Sequence, residues 1–117
     1  MNTNIKPFYI YTDRNTLYIK NINESSERLS NNIYAYAANI DNYNNIHILA
    51  IDNIGRIIHF FNNDGSWKKK IIRKFFNNTK NIKDIRLYIL NDYFNVFIVE
   101  KYPLDVNLYK ICHINFN

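Results

Sequence analysis

An all-β fold of antiparallel sheets is what this sequence predicts, and three observations predict it. The first is composition: 20 Ile, 10 Tyr, 8 Phe and a single Trp among 117 residues, the residue types that suit a pleated, half-buried surface. The second is punctuation. Short apolar runs alternate with links rich in Asn and Asp, and Asp64-Gly65 is the strongest tight-turn signal of all, because Asp-Gly readily supplies the left-handed backbone a hairpin needs. The third is self-similarity along the chain.

The elements follow in order. Phe8–Thr12 and Leu17–Ile22 read as strands joined at Asp13-Arg14-Asn15. The polar stretch 23–32 reads as a loop, with room for a short irregular strand near Arg28-Leu29; a single helical turn capped by Asn23 or Ser25 is the lesser alternative. Ile33–Ala38 is the next strand, followed by the Asp/Asn-rich link Asp41–Asn45. Ile46–Ile51, Arg56–Phe61 and Trp67–Ile72 then form three strands in succession around the two glycines, Gly55 and Gly65. The connection Arg73–Lys83 carries Phe75-Phe76, which are expected to tuck into the core. Asp84–Leu90, Phe94–Val99 and Val106–Phe116 complete nine predicted strands, with Pro103 placed in the last loop, where a missing N–H does no harm.

A shift of 39 residues lays Tyr9–Ile19 over the central unit and matches Asp13 to Asp52; a shift of 50 matches Tyr93 to Tyr43, Asn95 to Asn45, and Val96 and Ile98 to Ile46 and Ile48. A repeat of that size, holding three or four short antiparallel strands, has the content of a β-propeller blade. The repeats run at about 8–30, 33–74 and 83–116, within a single all-β domain spanning 1–117. Ile46–Ile51 and Ile57–Phe61 are apolar in both phases of the alternation, so their sheet must be covered on both faces. Trp67–Lys74 is the most charged strand, as suits an edge. A single sandwich or barrel is the alternative architecture.

The residues Asn45–Asp52, Gly55–Phe60 and Asp64–Ile72 together resemble the blade pattern of bacterial sialidase-like and lectin-like β-propellers, with Asn62–Trp67 resembling a shortened Asp-box. Only one repeat carries the Trp hairpin, and the usual leading Ser is missing. The resemblance implies a partial propeller of two to three blades. Families of this kind include glycosidases, lectins and protein-binding scaffolds, so it implies little about activity. Neither the arginine triad nor the catalytic Tyr/Glu pair of sialidases can be matched here, and no catalytic residue is carried over.

The chemistry-bearing residues are sparse. Cys112 is the single cysteine, so no disulfide closes within the chain. Cys112 and His113 are consecutive on a strand and point to opposite faces. His47 and His59 lie on adjacent strands and can approach, but no acid or cysteine stands beside them at ligand spacing; both read as packing residues, and no metal or cofactor is expected. Asp41, Asp52, Asp64, Asp92 and Asp105 all fall in links, where Asp bends and caps the backbone. With two glycines there is no phosphate-cradling loop or dinucleotide fingerprint. The chain therefore reads as no enzyme.

The expected function is that of a non-enzymatic binding or scaffold module, recognising a glycan or protein partner and self-associating toward a closed ring, or forming part of a longer propeller. Trp67, Lys68 and Lys70 are the candidate ligand-binding residues. The rival is a small basic protein gripping nucleic acid through Trp67–Lys74, since the net charge is +5. The abundance of Ile, Asn and Lys fits a low-GC, bacterial genome and weakens that charge argument. Incomplete repeats at both ends are expected to leave Ile85, Leu87 and Ile89 bare unless a second copy covers them. No signal-peptide pattern or apolar span is seen, so no membrane partner is expected and the location is expected to be cytoplasmic.

Overall fold

A computed structural model describes residues 8–21, 23–63, 65–102, 104 and 108–117. Within them are ten strands and no helix: β1 Phe8–Asp13, β2 Thr16–Asn21, β3 Glu27–Ser30, β4 Ile33–Ile40, β5 Ile46–Asp52, β6 Arg56–Asn63, β7 Ser66–Lys74, β8 Ile82–Leu90, β9 Tyr93–Lys101 and β10 Tyr109–Phe116. The tenth strand is β3, in the stretch expected mainly as a loop. Its Arg28 and Glu27 pair with Tyr18 and Ile19 of β2 across a bulge at Leu17/Tyr18. Three separate antiparallel sheets result, ordered β1-β2-β3, β4-β5-β6-β7 and β10-β9-β8. They do not close into one barrel. Strands adjacent in sequence are adjacent in each sheet, the arrangement that short turns enforce.

The turn residues explain the hairpins. Arg14-Asn15 and Asn91-Asp92 hold φ of 51° and 64°, and of 50° and 67°, the left-handed pair that a two-residue hairpin requires and that Asn and Asp tolerate best. The Asp64 half of the strongest turn signal lies outside the described residues, as do Pro103 and the start of the predicted strand at Val106. Gly65 has φ 83° and donates its N–H to Asn62 Oδ1 at 3.1 Å.

Two compact units divide the chain, one ending at Ile33 and the other Tyr34–Asn117. In the first, Leu17 and Ile19 of β2 and Ile33 are buried. Ile33 donates its N–H to the Asn15 carbonyl at 2.8 Å, tying the chain beyond β3 to the β1–β2 turn.

In the second unit the core lies between the four-stranded and the last three-stranded sheet. Leu49, Ile51 and Ile57 meet Ile85, Leu87, Val96 and Ile98, with Phe76 and Ile82 at one end. Asn39 on β4 donates its Nδ2 to the Leu87 carbonyl of β8 at 2.9 Å, bonding the two sheets to each other. The expectation that Ile85, Leu87 and Ile89 are bare is wrong: Ile85 and Leu87 are 7% and 4% exposed, and Ile89 packs against the same cluster. The neighbouring sheet covers them. On β8–β10 the large apolar side chains that do meet water are Tyr88, Leu90, Tyr93, Tyr109 and Ile111.

The central strands are buried on both sides, as their double apolar phase requires. Ile48, Ala50, Ile58 and Phe60 face away from the Leu49–Ile57 side and are equally inaccessible. Phe75 and Phe76 tuck in as expected, Phe76 fully. Both of their N–H groups donate to the carbonyl of Gly55, at 2.9 and 3.2 Å, so the β5–β6 turn anchors the connection between the two sheets.

Candidate functional site

Register decides what the predicted binding residues can do together. In the β6–β7 ladder, Lys68 stands opposite Phe61 and Lys70 opposite His59, while Trp67 stands opposite Asn62. Alternation then puts Lys68 and Lys70 on the face of His59 and Phe61, and Trp67 on the face of Phe60 and Asn62. Both lysines are exposed and Trp67 is half-buried. The three residues are neighbours in sequence, but they do not converge on one point.

The His47–His59 approach is realised, and with an acid that was not foreseen. His47 stands opposite Phe61 and His59 opposite Leu49, so the two histidines are diagonal neighbours on one face of the sheet. Their rings lie 5.1 Å apart, with His47 Nδ1 2.9 Å from His59 Nε2. Asp41 Oδ2 is 2.8 Å from His47 Nε2. Asp41 is available because the β4–β5 link folds back on itself: its Oδ1 accepts the N–H groups of Tyr43 and Asn45 at 2.8 and 2.9 Å, leaving Oδ2 for the histidine. Burial works against the charge on Asp41, but the bonds from His47 and from those two amides outweigh it and hold the carboxyl at about 2. Burial, with His47 and Lys70 adding to it, pushes His59 down to about 4. The nitrogens face one another rather than a common centre, and among the described residues no group of His, Cys, Asp and Glu can hold a metal. Among the described residues no nucleophile joins the chain of bonds.

A concave site forms elsewhere in the same unit, where the connection after β7 meets the ends of β9 and β10. It encloses about 450 Å3 and is lined by Phe75, Phe76, Asn77, Asn78, Asn81, Glu100, Lys110, Cys112 and Ile114. That volume suits a small ligand; such sites run from about 300 to 1,000 Å3. Cross-strand pairing sets Lys110 opposite Glu100. Cys112 Sγ donates to Glu100 Oε1 at 3.6 Å. Burial pushes the thiol's pKa up and Glu100 adds to that, against an opposing effect of Lys110, so Cys112 is a poor nucleophile. Asn78 accepts the Lys80 N–H at 2.9 Å, which fixes the loop and sets the orientation of its amide. Phe75 is clamped by Arg73, whose guanidinium sits 4.5 Å above the ring. Amides, a carboxylate, an ammonium and an apolar floor thus meet in one hollow.

The first unit offers a shallower depression of about 560 Å3 lined by Tyr9, Tyr11, Lys20, Asn23 and Ser26. Its best stacking surface is already used: Tyr11 stacks on Tyr18 at 5.3 Å and its hydroxyl bonds to Ser26.

None of the 75–81 lining was singled out from sequence as a binding group. The signal available was the cluster Asn77-Asn78-Thr79 directly after two phenylalanines that pack on the core, which marks a polar loop pinned there. Comparison with known proteins returns no matching family model, no matching curated protein and no matching solved structure. Among the described residues no helix is long and apolar enough to cross a membrane.

Proposed function

We propose that this chain is a non-enzymatic binding module of β-propeller type whose ligand is a glycan, held in the hollow between the 75–81 connection and the ends of β9 and β10. The observation that carries the reading is the composition of that hollow. Three Asn side chains and the Glu100–Lys110 pair offer donors and acceptors side by side, as adjacent sugar hydroxyls require, and Phe75, Phe76 and Ile114 offer a surface for the C–H face of a ring. The raised thiol pKa of Cys112 and the bonding of His47 to Asp41 and His59 speak against catalysis.

Support for the propeller type comes from the three meanders in chain order. Among the described residues the first and last sheets in chain order have three strands each where the second has four, which suits blades completed by a further strand. The exposed Tyr88, Tyr93, Tyr109 and Ile111 supply apolar surface for a second copy. A glycan array probed at low and high salt tests the reading: retention on a restricted set of sugars, unchanged by salt, is the expected result, and no retention on any sugar contradicts it.

One observation favours a second reading. Edge strand β7 exposes Lys68, Lys69, Lys70, Arg73 and Lys74 in a single stretch, a spacing that suits phosphates. Binding to single-stranded nucleic acid that collapses as salt rises would support it, because phosphate contacts release counterions.

A further inference from the structure

We propose that Asp41, His47 and His59 form an acid-sensitive latch that fastens the β4–β7 sheet to the β8–β10 sheet. Asp41 accepts from His47 Nε2 at 2.8 Å, which fixes a hydrogen on that nitrogen. A neutral His47 then presents only a lone pair at Nδ1, and His59 Nε2–H donates to it across 2.9 Å. One added proton leaves the bond intact, because whichever ring takes it, one of the facing nitrogens still lacks a hydrogen. A second added proton does not. Both facing nitrogens would then carry hydrogens, and two cations would meet in a partly dry site.

The surroundings make that site intolerant of positive charge. β7 contributes two cations on this face, Lys70 opposite His59 and Lys68 opposite Phe61. From β9 and β10 the facing groups are Phe94 and Phe116, which carry none. Among the described residues Asp41, in the β4–β5 link, is the single anion bonded into the chain. Phe94 lies 4.9 Å from the His47 ring and 4.8 Å from the His59 ring, and stacks on Phe116 at 5.1 Å. Imidazoles pushed apart therefore unseat the two phenylalanines of the opposite sheet. The buried cluster beyond them is wholly apolar, so loosening starts at the latch.

The sign follows from His59. Its pKa is held at about 4 in the folded protein against an ordinary 6.5, so between those values the unfolded chain binds the extra proton. The stabilisation is complete above about 6.5 and is lost as pH falls toward 4. Denaturant unfolding of the full chain between pH 7 and 4 measures it. The unfolding constant is expected to rise about 40-fold from pH 6.5 to 4.5 through this group, and His59→Phe is expected to lack that component. Ring 15N NMR of the wild-type protein gives a readout that needs no variant: His59 remains neutral until below pH 5. Amide protection at pH 4.5 should fall further around Phe94, His47 and His59 than at Ile51 and Ile57, where only the global component is lost. A His59 that titrates near 6.5 in the folded state, or a pH slope unchanged in His59→Phe, overturns the latch.

Discussion

The carbonyl oxygen of Phe76 lies 1.8 Å from where a Cβ on Gly55 would stand. The backbones of the β5–β6 turn and of the connection between the sheets touch at this point, and two amides of the connection bond to the Gly55 carbonyl. Gly55 also has φ 90°, a conformation other residues rarely adopt. Gly55→Ala should therefore cost about 3 kcal/mol or more, through strain and backbone displacement together. Chemical denaturation checks it. A loss under about 1 kcal/mol, the usual scale of a Gly/Ala conformational change, would mean the contact is not there.

Asp52 closes the same turn from inside. It is 3% exposed, and it accepts the N–H groups of Ile54 and Arg56 and the Arg56 guanidinium, the last at 2.7 Å. Asp52→Ala leaves those donors unpaired, and a loss of about 2–4 kcal/mol is expected. Asp52→Asn keeps an acceptor for the amides and should lose less than half of that. Equal losses in the two variants would show that charge, not capping, matters here.

Asp41 gives a second pH effect, distinct from that of His59. Its folded pKa of about 2 lies below the ordinary 3.8, so its contribution is present above about 3.8 and is lost as pH falls toward 2. The carboxylate lies near water, and screening limits the effect to about 1 kcal/mol. Asp41→Asn should remove this component and leave stability above pH 5 lowered by about the same amount. Acid unfolding curves of the two proteins, compared below pH 4, are the check.

Cys112 should be sluggish toward thiol reagents. Its partly buried sulfur is bonded to Glu100, and its pKa is raised. Labelling at pH 8 should run at least about tenfold slower than for a free cysteine and recover on unfolding. A rate equal to the unfolded chain's would place the thiol in open solvent.

Much of the fold is legible in the order of residues because strands here are short, local and punctuated. Asn91-Asp92 and Arg14-Asn15 each announce a two-residue turn, and the double apolar phase of Ile46–Ile51 announces a strand buried on both faces. What escaped is whatever depends on pairing between distant strands. Ile85 and Leu87 looked bare because nothing local says that their sheet lies on Leu49, Ile51 and Ile57. The acid beside His47 was missed for a similar reason: Asp41 is six residues away, and only the fold-back of its link, held by Tyr43 and Asn45, returns it to the histidine. β3 was half seen, since four mostly polar residues bonded to β2 have no apolar period to announce them. Trp67, Lys68 and Lys70 are contiguous in sequence, yet a strand sends alternate side chains to opposite faces.

The central claim is that a glycan occupies the hollow lined by Asn78, Glu100 and Lys110. Its most direct test is a 1H–15N titration of the full chain with the best-retained oligosaccharide from an array, repeated on Asn78→Ala and Lys110→Ala. The account predicts saturable shifts centred on residues 75–81, Glu100 and Lys110, insensitive to added salt, with affinity reduced at least about tenfold in each variant. Shifts centred instead on Lys68–Lys74 that vanish with salt, or wild-type affinity in both variants, would contradict it.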